Sequence, residues 1–104
     1  MIIYGLKNCD TCRKALKSLP EAQLCDVHQD GVPDDVLKSA YATFGAALVN
    51  TRSTTWRGLS EAERALDPME LLRVYPALMK RPLIDHNNQL YLGWTKDVQS
   101  ALLG

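Results

Sequence analysis

The chain has 104 residues, 46% of them apolar, which suits one domain around a single core. Twelve Lys and Arg balance twelve Asp and Glu, so the formal net charge is zero and the basic excess typical of a nucleic-acid binder is missing. No stretch approaches the roughly 18 apolar residues of a membrane span and no signal peptide opens the sequence. Three cysteines, an odd count, argue against a secreted disulfide scaffold, so a reducing, cytoplasmic setting and a monomer are expected.

Ile2, Ile3 and Tyr4 read as a first strand that ends at Gly5. A helix follows over about residues 10–19, because Cys12, Ala15, Leu16 and Leu19 fall at i, i+3, i+4 and i+7 while Arg13, Lys14 and Lys17 face water. Pro20 stops it, and residues 22–28 read as a second strand. Pro33, as first helical residue, with Asp34 and Asp35 behind it, opens the next helix. Its apolar face is Val36, Leu37, Ala40, Tyr41 and Phe44, and Gly45 supplies the C-cap.

Residues 46–49 form a short apolar piece leading into a polar loop over 50–58. Ser60 and Glu63 make a capping box for a short helix, and Asp67-Pro68 starts another that ends before Pro76. Leu83-Ile84 and Leu90-Tyr91-Leu92 flank a turn-rich centre, residues 86–89, which predicts a hairpin. Thr95 caps a final helix whose Val98, Ala101 and Leu102 face inward. The order β-α-β, helices, β-β-α predicts a thioredoxin-like α/β fold with a helical insertion between the second and third strands, residues 1–104 forming a single domain.

Chemistry concentrates at Cys9-Asp10-Thr11-Cys12, where the strand gives way to the helix. A helix N-terminus carries unpaired N–H groups and the positive end of the macrodipole, and both stabilise a thiolate. Cys9 is therefore the candidate nucleophile, with Lys7, Arg13 and Lys14 close in sequence to favour its anion and Asp10 opposing it. Cys12, on the apolar stripe, suits a buried resolving thiol.

Cys9-x-x-Cys12 with Cys25-x-x-His28 also has the spacing of a Cys3His zinc site. Two arguments weigh against it. On a strand, Cys25 and His28 point to opposite faces, and the chain has apolar helices enough to build a core without metal. Cys25 then reads as a small buried hydrophobe, with His28 and His86 near solvent. The phosphatase-type loop, cysteine followed by arginine six positions on, is excluded, because Ala15 and Ser18 occupy those places after Cys9 and Cys12.

Residues 50–57, Asn-Thr-Arg-Ser-Thr-Thr-Trp-Arg, gather two guanidinium groups and four hydroxyls able to hold a carboxylate or oxyanion. An ordinary polar loop with Trp56 turned inward fits them equally. Lys80-Arg81-Pro82 precedes the third strand, where a thioredoxin-like fold places a cis-proline beside its thiol.

These segments resemble the ArsC/Spx/YffB family of thioredoxin-fold proteins. Residues 4–15 are similar to its N-terminal signature, residues 50–57 to its central motif, and Lys80-Arg81-Pro82-Leu83-Ile84 with Leu92-Gly93-Trp94 to its C-terminal motif. Nearly the whole chain is covered, and the YffB-like branch is the nearest match. The resemblance implies a thiol-dependent, glutathione-using reductase with no bound cofactor or metal. Cys9 would be the catalytic thiolate and Cys12 its partner. Lys7, Asn8, Thr11 and Arg13 would flank the substrate, Arg52 and Arg81 would bind an anion, and Pro82 would be the cis-proline.

Glutathione, a small thiol or oxyanion substrate, or a protein redox partner would be the interacting molecule; nucleic acid and membrane are not expected. The family's arsenate reductases use a third arginine after the last strand, where this chain has Leu92-Gly93-Trp94-Thr95. That loss disfavours arsenate. Spx proteins, which regulate RNA polymerase, carry a further C-terminal segment, whereas this chain stops at Gly104, and the basic surplus is absent.

Overall fold

Four short strands and the helix that follows the first of them set the frame for the thiol pair. A computed structural model describes residues 1–103. The strands, β1 (Ile2–Gly5), β2 (Gln23–Asp26), β3 (Leu83–His86) and β4 (Gln89–Leu92), form one sheet in the order β2-β1-β3-β4. β1 pairs parallel with β2 (Tyr4 opposite Cys25) and antiparallel with β3 (Ile3 opposite Ile84), and β3 pairs antiparallel with β4.

A parallel neighbour needs a crossover, and α1 (Asp10–Ser18) supplies it. β1 lies inside the sheet, so it reads as a continuous apolar run rather than an alternating one: Ile3 and Tyr4 are both buried. This is the expected thioredoxin-like layout.

The chain groups into two compact units, Met1–Asp30 joined by the segment from Arg81 onward, and Gly31–Lys80. In the first, Ile3, Ala15, Leu19 and Ile84 form the core, with Leu16, Leu24, Tyr91, Trp94, Val98 and Leu102 packed against it. Burying Ile3 and Ile84 stabilises by about 1.5–3 kcal/mol each. That clamps α1 to the sheet and so fixes the short connection that carries Cys9. The final helix α7 (Lys96–Leu103) begins where Thr95 Oγ1 accepts from the Val98 N–H at 3.3 Å. Ala101 is exposed rather than inward-facing; Val98 and Leu102 hold the helix down.

The hairpin turn is tighter than expected, only Asn87 and Asn88. Both take positive φ (51° and 63°), which a two-residue connection of correct twist demands and asparagine tolerates.

The predicted end of the second strand shifts for a local reason. The second strand stops at Asp26 instead of residue 28, because the Asp26 carboxylate accepts from the backbone N–H of His28 (2.9 Å) and Gln29 (3.4 Å). That turns the chain into one helical turn, α2 (Val27–Asp30), and puts His28 on a helix rather than a strand. The opposite-faces argument against zinc therefore loses its premise. Even so, among the described residues no three His, Cys, Asp or Glu side chains gather where they could hold a metal.

The second unit is the helical insertion. Pro33 is the N-cap of α3 (Asp34–Phe44) rather than its first helical residue, and Gly45 at φ +58° ends it. Leu37 and Ala40 are its buried positions. A 3-10 turn, Gly45–Leu48, follows. The segment expected as a loop holds a helical turn, α4 (Thr54–Arg57), capped by Ser53 Oγ accepting from the Trp56 N–H at 3.1 Å. α5 (Glu61–Arg64) has the full Ser60/Glu63 capping box, and α6 (Pro68–Val74) starts at Asp67. No helix among the described residues is long and apolar enough to cross a membrane.

Candidate active site

Cys9 occupies the N-cap position of α1 in extended backbone conformation (φ −88°, ψ 120°), and its carbonyl accepts the first helical bond from the Arg13 N–H at 2.9 Å. The connection from β1 turns back on itself through the Cys9 N–H, which donates to Leu6 O at 3.2 Å. The sulfur is therefore half-exposed at the positive end of a nine-residue helix.

Its pKa is lowered. Burial pulls it upward, but the Cys12 backbone N–H, the Cys12 thiol and the Arg81 guanidinium together outweigh burial by favouring the anion. The Cys12 amide acts on the sulfur electrostatically without reaching the geometry of a full capping hydrogen bond.

Cys12 is the converse. It is 1% exposed, and burial pushes its thiol up from the usual 9.0 to about 11, with the neighbouring Cys9 sulfur adding to the rise. One sulfur is thus prepared as an anion and the other as its hydrogen-bond donor. Cys25, on β2, is half-buried rather than the buried residue expected, and its thiol is raised by burial and then by Asp30 and Asp26.

The cationic help comes from a different quarter than sequence proximity suggested. Lys7, Arg13 and Lys14 are not among the main groups that lower the Cys9 pKa. Arg13 instead donates from Nε to Lys7 O at 2.8 Å, tying the first helical turn to the connection before Cys9. Arg81, 72 positions away in sequence (81 minus 9), is the cation that counts. Its peptide bond to Pro82 is cis, and Pro82, buried, accepts from the Gly93 N–H at 2.8 Å through its carbonyl.

Asn8 and Thr11 are exposed on either side of the Cys9–Asp10 step. Arg52 belongs to the second unit, where it is exposed and its N–H donates to Asn50 Oδ1 at 3.1 Å. Cys9, Cys12, Arg81 and Pro82 are thus gathered by the first unit alone. No arginine follows β4; Trp94 stands there, partly packed on the core.

Sequence reasoning missed Gly5. A β-carbon built on Gly5 would collide with Cys12 Sγ and lie 3.2 Å from Cys12 Cβ, so only glycine lets α1 close on β1 with the sulfur between them. We expect Gly5→Ala to cost about 1–3 kcal/mol by overpacking. Chemical denaturation would check the loss, and the shifted helix should also make Cys9 alkylate more slowly at neutral pH.

Known proteins resemble the chain over nearly its whole length. Residues 4–102 match the ArsC family. An uncharacterised protein of Haemophilus influenzae is 42% identical over 109 residues, spanning 95% of this chain and 96% of its own. The solved structure of a protein called YffB superposes with a TM-score of 0.88 at 31% identity, over 99% of this chain and 98% of its own. An arsenate reductase (ArsC) related protein from Brucella melitensis gives a TM-score of 0.71 at 30% identity, over 98% and 92% of the two chains.

Proposed function

Because this chain belongs to the ArsC family, we propose that it is a thiol-dependent reductase whose electrons come from glutathione. The observation that carries the reading is the opposed pair at the start of α1, Cys9 lowered and Cys12 raised in pKa. The Cys9 thiolate attacks one sulfur of a disulfide substrate. A Cys9–substrate S–S bond forms, the substrate's own S–S bond breaks, and the departing thiolate takes a proton. Arg81 favours the anion beforehand and is a donor for a substrate carboxylate.

The second step follows from the same electrostatics. Part of what keeps Cys12 protonated is the Cys9 anion beside it. Once Cys9 is in a mixed disulfide that anion is gone, the Cys12 thiol becomes more acidic, and it attacks Cys9 to release the substrate as a thiol. Glutathione then returns the Cys9–Cys12 disulfide to two thiols, giving up two electrons as two molecules couple into glutathione disulfide. Alternatively, it resolves the mixed disulfide directly. Arsenate is disfavoured: one of three charge-assisted contacts is missing, which weakens an oxyanion by about 1.5–3 kcal/mol where such a contact is buried.

Trapping decides the matter. The Cys12→Ser protein exposed to glutathione disulfide should carry one glutathione on Cys9 by peptide mass spectrometry, and reduced glutathione should discharge it. The wild type should pass on to the Cys9–Cys12 disulfide. An adduct found on Cys25, or none at Cys9, removes glutathione from the scheme.

A further inference from the structure

Helix α1 begins without either of the side-chain devices that ordinarily fix where a chain enters a helix. The N-cap residue, Cys9, makes no side-chain capping bond, which leaves its sulfur available for chemistry. The residue before it, Asn8, is polar and exposed, as is Arg13 at the fourth helical position, so no apolar staple joins the two. The entry has to be held in another way.

Arg13 holds it from both sides of the sulfur. Its backbone N–H donates to the Cys9 carbonyl at 2.9 Å and closes the first turn. Its Nε donates to the Lys7 carbonyl at 2.8 Å, two residues before Cys9. Helical side chains lean toward the N-terminus, which lays a long one at this position back over the incoming chain. A guanidinium Nε–H points in a fixed direction, so the bond orients the Lys7 peptide as well as holding it.

The geometry of both sulfurs hangs on that connection. The Cys9 N–H donates to Leu6 O at 3.2 Å, and the Leu6 N–H is a backbone donor to the Cys12 sulfur. The Cys9 sulfur in turn needs the Cys12 amide and the Arg81 guanidinium at hand to favour its anion. Residues 6–9 belong to neither helix nor strand, and Lys7 and Asn8 are exposed, so packing does little to restrain them.

We propose that Arg13 is a positioning residue: its bond to the Lys7 carbonyl sets the angle at which the chain enters α1, and so holds the Cys9 sulfur against the groups that keep it anionic. Arg13 then acts through Cys9 rather than on the substrate. The inference takes its purpose from the thiol-reductase reading, but alkylation of Cys9 tests it without any substrate.

Arg13→Met keeps an unbranched apolar stem and a good helix former while removing the donor. Alkylation of Cys9 by iodoacetamide, a neutral reagent, is followed against pH by peptide mass spectrometry. Lys17→Met, which removes a cation from an exposed position of the same helix, is run beside it. Arg13→Met should move the profile to higher pH and slow alkylation about three- to fivefold at neutral pH, the scale of one net hydrogen bond. At high pH the two rates should converge, and Lys17→Met should match wild type throughout. The difference should persist in about 0.5 M salt, because the bond is made to a neutral carbonyl, whereas charge acting through solvent is screened there.

An unchanged profile overturns the proposal, and so does a shift that disappears in salt or is shared by Lys17→Met. Turnover of a disulfide substrate keeps the two readings apart. A shifted profile in a protein without turnover sinks the reductase and leaves the clamp. Turnover that falls in Arg13→Met with the profile unmoved puts Arg13 on the substrate and removes the clamp.

Discussion

Cys9→Ser should reduce thiol–disulfide turnover to background, a loss of at least about a thousandfold, because a hydroxyl cannot be ionised where a thiol can and forms no S–S bond. The same substitution should leave the fold intact or slightly firmer. Cys9 holds the N-cap of α1 with no side-chain capping bond, and serine is among the favoured residues there, worth about 0.5–1 kcal/mol.

The pH dependence gives the control its sign. A thiol whose folded pKa lies below its unfolded value adds stability that is fully present above the unfolded value. That contribution is lost as pH falls through the folded one. The stability difference between Cys9→Ser and wild type should therefore move in favour of wild type as pH rises. Cys12 acts oppositely at high pH, since its raised pKa stabilises below the unfolded value and that contribution is lost as pH climbs through about 11. Denaturation curves at several pH values, run beside the activity assay, check both halves. A serine variant that keeps full turnover would end the mechanism.

What the sequence made legible was local. A strand running into an amphipathic helix with cysteines at its head, the Ser60/Glu63 box and the Asn87-Asn88 turn each depend on residues within a few positions, and each stands in the structure. The boundary errors were also local. Asp26 and Ser53 each bond to backbone N–H groups just downstream, a signal that was in the sequence and outweighed by apolar pattern in the first case and by polar composition in the second.

What was not legible depends on the third dimension. Nearness in sequence favoured Lys7, Arg13 and Lys14 as helpers of Cys9, yet helical geometry turns Arg13 back on the Lys7 carbonyl and leaves Lys14 exposed. Gly5 carries no side chain to notice, and its need is visible only once Cys12 Sγ is seen against it. Arg81 entered through family resemblance; its action on the sulfur is a long-range contact that no periodicity reports.

Arg81 is where that long-range contact can be weighed. It lowers the Cys9 pKa in two ways, by a hydrogen bond to the sulfur and by its charge, and both vanish in Arg81→Gln. The remaining supports, the Cys12 amide and thiol, then face the burial cost without it. The Cys9 pKa should rise, and the pH profile of alkylation should move to higher pH. At neutral pH the alkylation rate should fall about tenfold, taking the low end, about 1.5 kcal/mol, of what a hydrogen bond to a charged group contributes because Cys9 is half-exposed.

Arg81→Lys should recover part of the shift, since it keeps the charge and loses the planar fork. At pH well above the raised pKa, wild type and Arg81→Gln should alkylate at similar rates, which separates loss of thiolate from loss of fold. An unchanged profile in Arg81→Gln would mean that the helix terminus and Cys12 suffice, and that Arg81 serves the substrate alone.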